Sequence, residues 1–288
     1  MPKRRILLAL RPVSPVERLF SVAESLCRRM GDELEVLADP AHPRLDFIRA
    51  HLDGLEKAGV ACRLTPTAGL NAAKVVGKRY EDLTVVISGA GAAGLAIAQL
   101  LLSQDSVAGK LVSVAGKRVK DVIILDSKGV ITVDGGGLKT EFAQITNHEG
   151  RVGGLTEALV GADAFIGVSK GGIMTGEMVA TMAKDAIVLG MANPEPEIMP
   201  DVAKAAGARV VGTGRSDFPN QVNNSLIFPG LFKGLLSARI PRVTITMRQA
   251  AAQALADFIE PTEDKILPSM FDPGQADAIA RAVVATIT

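Results

Sequence analysis

"LTVVISGAGAAGLAIAQLLL" (residues 83–102) joins an apolar run to a second apolar run through a cluster of glycines. Leu83, Val85, Val86 and Ile87 form a short apolar run rich in β-branched residues, as a strand covered on both faces requires. It runs directly into "GAGAAG" (89–94) and then into the apolar segment "LAIAQLLL" (95–102), which reads as a buried helix. Gly89, Gly91 and Gly94 thereby fall in GxGxxG spacing at a strand-to-helix junction. In such a junction Gly89 makes the tight turn and Gly91 lets a diphosphate approach the backbone. Gly94 lets the helix pack closely on the strand, while the helix start, with Ala92 and Ala93 in its first turn, offers N–H groups to the anion. A plain tight turn could use the same glycines. The strand before and the helix after favour nucleotide binding.

Outward from this junction the same alternation continues. "VIILDSKG" (122–129), "DAFIGVS" (163–169), "AIVLGMAN" (186–193) and "ARVVGTG" (208–214) read as strands. Between and after them lie helical segments starting near Thr175 and Glu197, through "LIFPGLFKGLLSA", at 245–258, and after Pro273. Strands separated by helices of this length imply parallel βαβ units and a doubly wound, Rossmann-type α/β sheet. Upstream, "GLNAAKVVGKRYED" (69–82) reads as a helix and a polar turn. Residues 1–66 read as a separate small βαβαβ segment, with strands at 5–10, 33–38 and 61–65 and helices from Ser14 and over 45–58. The domain organisation expected is thus 1–66 followed by a dinucleotide-binding domain at 67–288. Residues 104–120 fit no element, and "DGGGLKT" (134–140) reads as a flexible loop.

Composition narrows the function classes. Hydrophobic residues make up 48% of 288 and charged residues 22%, with no Trp and one Tyr, so the core must be aliphatic. A net charge of +1 provides no global field to attract nucleic acid or an anionic membrane. No apolar run approaches the ~18 residues of a membrane span. The short apolar run after Lys3-Arg4-Arg5 falls below a signal-peptide core, and Cys27 and Cys62 lack CxxC spacing; a cytoplasmic protein is expected. His42, His51 and His148 are too scattered for a histidine metal site.

Several strand ends carry polar groups. Asp126, followed by Ser127, can accept hydrogen bonds from both hydroxyls of an adenosine ribose and would repel a 2′-phosphate, which favours NAD over NADP. Lys128 partly offsets that repulsion, and Asp126 could instead cap the following turn. "GVSKGGIMT" (167–175) places Val168 and Ser169 at a strand end; Gly171 and Gly172 either lie beside the nucleotide or serve a loop needing positive φ. Asn193 either caps a helix beginning at Glu197 or presents its amide to the nicotinamide side or a carboxylate substrate. Asn220, Asn223 and Asn224 crowd "SDFPNQVNNSLIFPG" (216–230) ahead of an apolar run, a poor place for merely solubilising amides.

From about Leu70 to Ile259 the chain resembles the nucleotide-binding domain of malic enzymes. The resemblance rests on "NAAKVVGKRYEDLTVVISGAGAAG", "DSKGV", "GADAFIGVS" and "MANPEPEIMPDVAKAAGARVVGTGRSDFPNQVNNSLIFPG". It implies that Gly89, Gly91, Gly94 and Asp126 bind the dinucleotide. Asn193 and Asn224, with Asn223 beside them, would contact malate or the nicotinamide ribose. It also implies oxidative decarboxylation of malate to pyruvate with NAD (NADP possible) and Mg²⁺ or Mn²⁺; the alternative is a non-catalytic nucleotide-binding or sensing module. The family takes its acid, base and metal ligands from upstream, where this chain reads "CRLTPTAG" without a carboxylate, so the catalytic residues stay unassigned and no metal ligand is identified. Tyr80 and the Glu81–Asp82 pair lie in a turn the family does not use for chemistry, and Lys128 and Lys170 are the nearest candidate bases. Such groups could come from a separate catalytic subunit or a second copy. Residues 1–66 are similar to the first half of a universal-stress-protein fold.

Overall fold

The computed structural model describes residues 5–10, 33–38 and 65–287, except 108–109, 136, 224–225, 241–242 and 270–271. Strands β1 (Arg5–Leu10) and β2 (Glu33–Ala38) pair in parallel as a two-stranded sheet of their own. The expected helices between and after them, and residues 61–64 of the third strand, lie outside the described residues, so the universal-stress-protein likeness finds no support. Thr65 is not in a strand. It opens helix α1 (Thr65–Val75), where Pro66 suits a first turn and the Thr67 hydroxyl donates to the Ala252 carbonyl at 3.1 Å. Tertiary packing outweighs the β preference of these threonines.

The main sheet contains β3 (Thr84–Ser88), β6 (Asp121–Asp126), β7 (Gly129–Val130), β8 (Ala164–Gly167), β9 (Ala186–Gly190) and β10 (Ala208–Thr213). Its order is β10-β9-β8-β3-β6-β7, parallel throughout except for β7, which turns back on β6 as a short hairpin. Residues 104–120, which suggested no element, include the antiparallel hairpin β4 (Gln104–Val107) and β5 (Lys110–Ser113). The expected flexible loop at 134–140 is replaced by a 3₁₀ turn at Val133–Gly135 and helix α3 (Gly137–Ile145).

Successive strand residues face opposite layers, as the two-residue period demands. Val85, Ile87, Val122, Ile124, Ile166 and Leu189 pack on one face, with helices α1, α2 (Ala92–Leu101), α7 (Phe228–Ser237), α8 (Ile245–Ala256) and α9 (Gln275–Ala285). Val86, Ile123, Leu125, Phe165 and Val188 pack on the other, with α4 (Leu155–Leu159), α5 (Gly176–Ala180) and α6 (Pro200–Ala205). The crossover from β3 to β6 moves one way along the sheet, and the crossover from β6 back past β3 to β8 moves the other. Right-handed crossovers running in opposite directions put their helices on opposite faces. The reversal falls between β3 and β8, and a doubly wound sheet opens its ligand crevice beyond the carboxyl ends of the strands at that point.

The outer edge of β10 is closed by one of the three asparagines. Asn220 adopts positive φ (56°), which Asn tolerates better than most residues. Its Nδ2 donates to the carbonyls of Val211 (3.0 Å) and Glu263 (2.6 Å), and its Oδ1 accepts the Ile266 N–H (2.9 Å). This side chain is consumed by structure. Asn220→Ala, which strands two buried partners and one part-buried carbonyl, should cost about 2–4 kcal/mol and lower the melting temperature measured without ligand, while a variant melting like wild type would show the edge is held by other contacts.

Candidate functional site

The junction at 89–94 sits at the switch point, and each glycine there has its own steric reason. Gly89 has φ +120°, and a Cβ on it would stand 2.7 Å from the Val168 carbonyl oxygen at the end of β8. A Cβ on Gly94 would lie 1.8 Å from the Gly89 carbonyl oxygen and 3.3 Å from Ile87 Cγ2, so helix and strand touch through the missing side chain. Gly91, the N-cap of α2, is exposed and a Cβ there would meet nothing within 4 Å. The backbone is therefore tight on two sides and open on the third, which is what a diphosphate at a helix N-terminus needs. Ala92 is exposed and Ala93 half-buried in the first turn.

Two strands of the sheet flank this cradle with different chemistry. On one side, half-buried Asp126 ends β6. Its Oδ1 accepts the Lys128 N–H at 2.9 Å, the turn-capping role, with Ser127 exposed at the tip. Its Oδ2 pairs with Lys139 Nζ at 2.6 Å. The Lys139 hydrogen bond, helped by the Lys128 N–H, holds this carboxyl below the usual carboxylate range. Lys139 lies in α3, where a loop was expected, and neither its spacing from Asp126 nor its surroundings in sequence announced the pair.

On the other side lie the ends of β8 and β9. Val168 is half-buried over Gly89, and Ser169 Oγ lies 3.0 Å from Ser88 Oγ. Gly171 and Gly172 are accounted for by packing: a Cβ on Gly171 would meet the Glu195 carbonyl oxygen at 2.5 Å, and Gly172, with φ +70°, donates its N–H to Pro196 O at 3.0 Å. Asn193 is exposed just beyond β9, before a cis peptide to Pro194. It does not cap the next helix, because α6 begins at Pro200 behind the N-cap Met199. Arg215, beyond β10, donates to the Pro194 carbonyl at 3.3 Å and grips Asp217 through two hydrogen bonds of 2.9 and 2.6 Å. Half-buried Asn223 follows a segment running parallel to the end of β10, through Val222 N–H to Thr213 O at 2.8 Å. Asn223 and Asn193 thus share the carboxyl edge with the cradle; Asn224 lies outside the described residues. From β6 to β9 is three strand spacings, about 14 Å, so the acidic end, the cradle and the amide end lie in that order along one edge.

Glu197 reads in the sequence as the start of a helix. In the structure its side chain has 0% exposure and lies under the ends of β8 and β9. Its Oε1 accepts the Ser169 N–H and its Oε2 the Ala192 N–H, each at 3.0 Å. Burial pushes its carboxyl up, against the opposing pull of these N–H groups. Nothing in its neighbours "NPEPEI" signals this, because both partners are loop amides whose positions only the fold sets.

Other polar candidates lie elsewhere. Tyr80 is buried in a 3₁₀ turn leading into the amino end of β3, opposite the crevice, and burial raises its hydroxyl well above the ordinary range. Glu81 and Asp82 are exposed in the same turn, Asp82 paired with Arg79 at 2.7 Å. Lys128 and Lys170 are exposed. Among the described residues no three His, Cys, Asp or Glu side chains converge to hold a cation, and no helix is long and apolar enough to cross a membrane.

A doubly wound sheet with an open glycine cradle at its switch point, an acid on one side and amides on the other, defines a dinucleotide-binding domain. The chain belongs to the malic enzyme family: the family model "Malic enzyme, NAD binding domain" matches residues 61–287. The chain is 45% identical over 229 residues to the bifunctional malic/malolactic enzyme of Bacillus subtilis (strain 168), covering 76% of this chain and 52% of that protein. It is 42% identical over 221 residues to the NAD-dependent malic enzyme of Geobacillus stearothermophilus, covering 75% and 43%. The crystal structure of malic enzyme from Pyrococcus horikoshii Ot3 superposes with a TM-score of 0.73 at 30% identity, over 97% of this chain and 76% of that one. Its curated relatives include NAD-dependent and NADP-dependent malic enzymes, and the chain spans about half the length of the first two. The domain is NAD(P)-binding.

The glycines separate into two experimental signatures. Gly91→Val fits the open space, so its melting temperature should stay near wild type while NADH affinity falls by at least about tenfold. Gly94→Ala forces α2 off β3 and should cost about 1–3 kcal/mol of stability. Thermal melts alongside NADH titrations check both; tight NADH binding by Gly91→Val would remove the diphosphate from this turn.

Proposed function

We propose that this chain provides the coenzyme half of a malate-oxidising site, the overall reaction being conversion of malate and NAD(P)⁺ to pyruvate, CO₂ and NAD(P)H. The observation that carries the reading is the sterically open Gly91 between Asp126 and Asn193 on one sheet edge. The diphosphate would rest on the first turn of α2, and Asp126 would accept from the adenosine ribose hydroxyls. The nicotinamide end would pass over Val168 and Ser169 towards Asn193, with Asn223 facing the substrate. When bound, the nicotinamide supplies the hydride acceptor for a secondary alcohol carbon. The side-chain amides would orient malate and the ribose by hydrogen bonding without adding charge, which leaves the proton transfers to groups with a suitable pKa. Those groups, and the ligands of the family's divalent cation, would come from residues other than the described ones or from another subunit.

This reading is tested by titrating the chain with NADH and NADPH, then following nicotinamide absorbance with malate and Mn²⁺. Binding followed by malate-dependent reduction is the expected result. Binding without turnover at high protein concentration would reduce the chain to a nucleotide-binding module, and no binding of either nucleotide would end the proposal.

Lys139 adds a specificity element. Its ammonium, 2.6 Å from Asp126, neutralises the carboxylate that would otherwise repel a 2′-phosphate. Lys139→Ala should therefore weaken NADPH binding about tenfold and leave NADH within about threefold. Equal losses for the two coenzymes, measured by fluorescence titration, would place Lys139 outside the ribose site.

A further inference from the structure

Glu197 has a peculiar position for a carboxylate. Removing an ion from water costs several kcal/mol unless its oxygens are well satisfied, and here the satisfying groups are backbone N–H groups of two separate loops, Ser169 and Ala192. The sheet makes room for it: a Cβ on Gly167 would lie 2.2 Å from Glu197 Cδ, and one on Gly190 would lie 3.4 Å from Oε2. The backbone around Glu197 braces the same loop again, its carbonyl accepting the Met174 N–H and that of Pro196 the Gly172 N–H, each at 3.0 Å. The side chains it sets are placed accordingly. Ser169 continues to Ser88 at 3.0 Å, and Ala192 immediately precedes Asn193.

We propose that Glu197 is a positioning residue for the nicotinamide half of the coenzyme site, holding the loops that leave β8 and β9 in mutual register and so aiming Asn193. The inference rests on the coenzyme placement given above. A carboxylate suits the task because each oxygen accepts one loop N–H. An amide would turn its NH₂ towards one of them, so Glu197→Gln keeps the volume and breaks one of the two anchors. The adenosine end is anchored independently, by Asp126 and the turn at Gly89–Gly94, and should not sense the change.

The test uses the full chain and two ligands, ADP-ribose, which lacks the nicotinamide, and NADH, each titrated calorimetrically. Wild type should bind NADH more tightly than ADP-ribose. E197Q should bind ADP-ribose within about twofold of wild type and NADH about tenfold more weakly, so that the advantage of the nicotinamide disappears. G167A, whose methyl group would displace the carboxylate, should reproduce that pattern. If E197Q does not fold by circular dichroism, E197D, which keeps the charge but retracts it by one methylene, is read in the same way. An unchanged NADH advantage in the variants, equal losses for both ligands, or equal wild-type affinities for the two would each overturn the proposal. Failure of wild type to bind either ligand would instead overturn the coenzyme placement itself, and the proposal with it.

Discussion

The contact between helix α2 and strand β3 through Gly94 is the constraint on which the crevice depends. A single methyl group there would stand 1.8 Å from the Gly89 carbonyl oxygen. Because the helix can approach that closely, its first turn is aimed at the space beyond β3 rather than lifted away from it. Gly89, held at φ +120° and still bonded through its N–H to Leu125 O at 2.9 Å, turns the chain without breaking the sheet. The oriented backbone dipoles of a helix start are useful to an anion only if nothing covers them. Gly91 leaves that space clear.

The rest of the edge is arranged around this fixed point by groups drawn from distant parts of the chain. Lys139 reaches Asp126 from a helix that begins eleven positions further on. Glu197 ties the ends of β8 and β9 together from below. Arg215 reaches back to the Pro194 carbonyl from beyond β10. Each of these ties acts on backbone or on a charged side chain, so the loops that would meet the coenzyme are held by specific polar contacts rather than by burial alone. A site built in this way keeps its geometry while its surface stays open.

Asparagines show how residue type alone misleads. Asn220, Asn223 and Asn224 look alike in "NQVNN", crowded next to an apolar run where amides are poor solubilising groups. Asn220 is instead a structural staple, with three hydrogen bonds that close the edge of β10. Asn223 is left half-buried at the carboxyl edge. The same holds for acids: Asp126 stands at the strand end where the pattern put it, whereas Glu197, expected to open a helix, lies wholly buried ahead of a helix that starts at Pro200.

Features that depend on neighbours along the chain are legible before folding. The alternation of apolar strands and helices, the glycine junction at 89–94 and the acid closing β6 are set by local propensity, a two-residue period and backbone sterics, all of which are written in consecutive residues. Tertiary structure alone decided the strand order, the helical start at Thr65, the helix at 137–145, and the partners of Lys139, Glu197 and Asn220. Those depend on which groups crossovers bring together over tens of residues. A buried polar side chain takes its role from its partner, and neither end of such a pair carries a mark of the other.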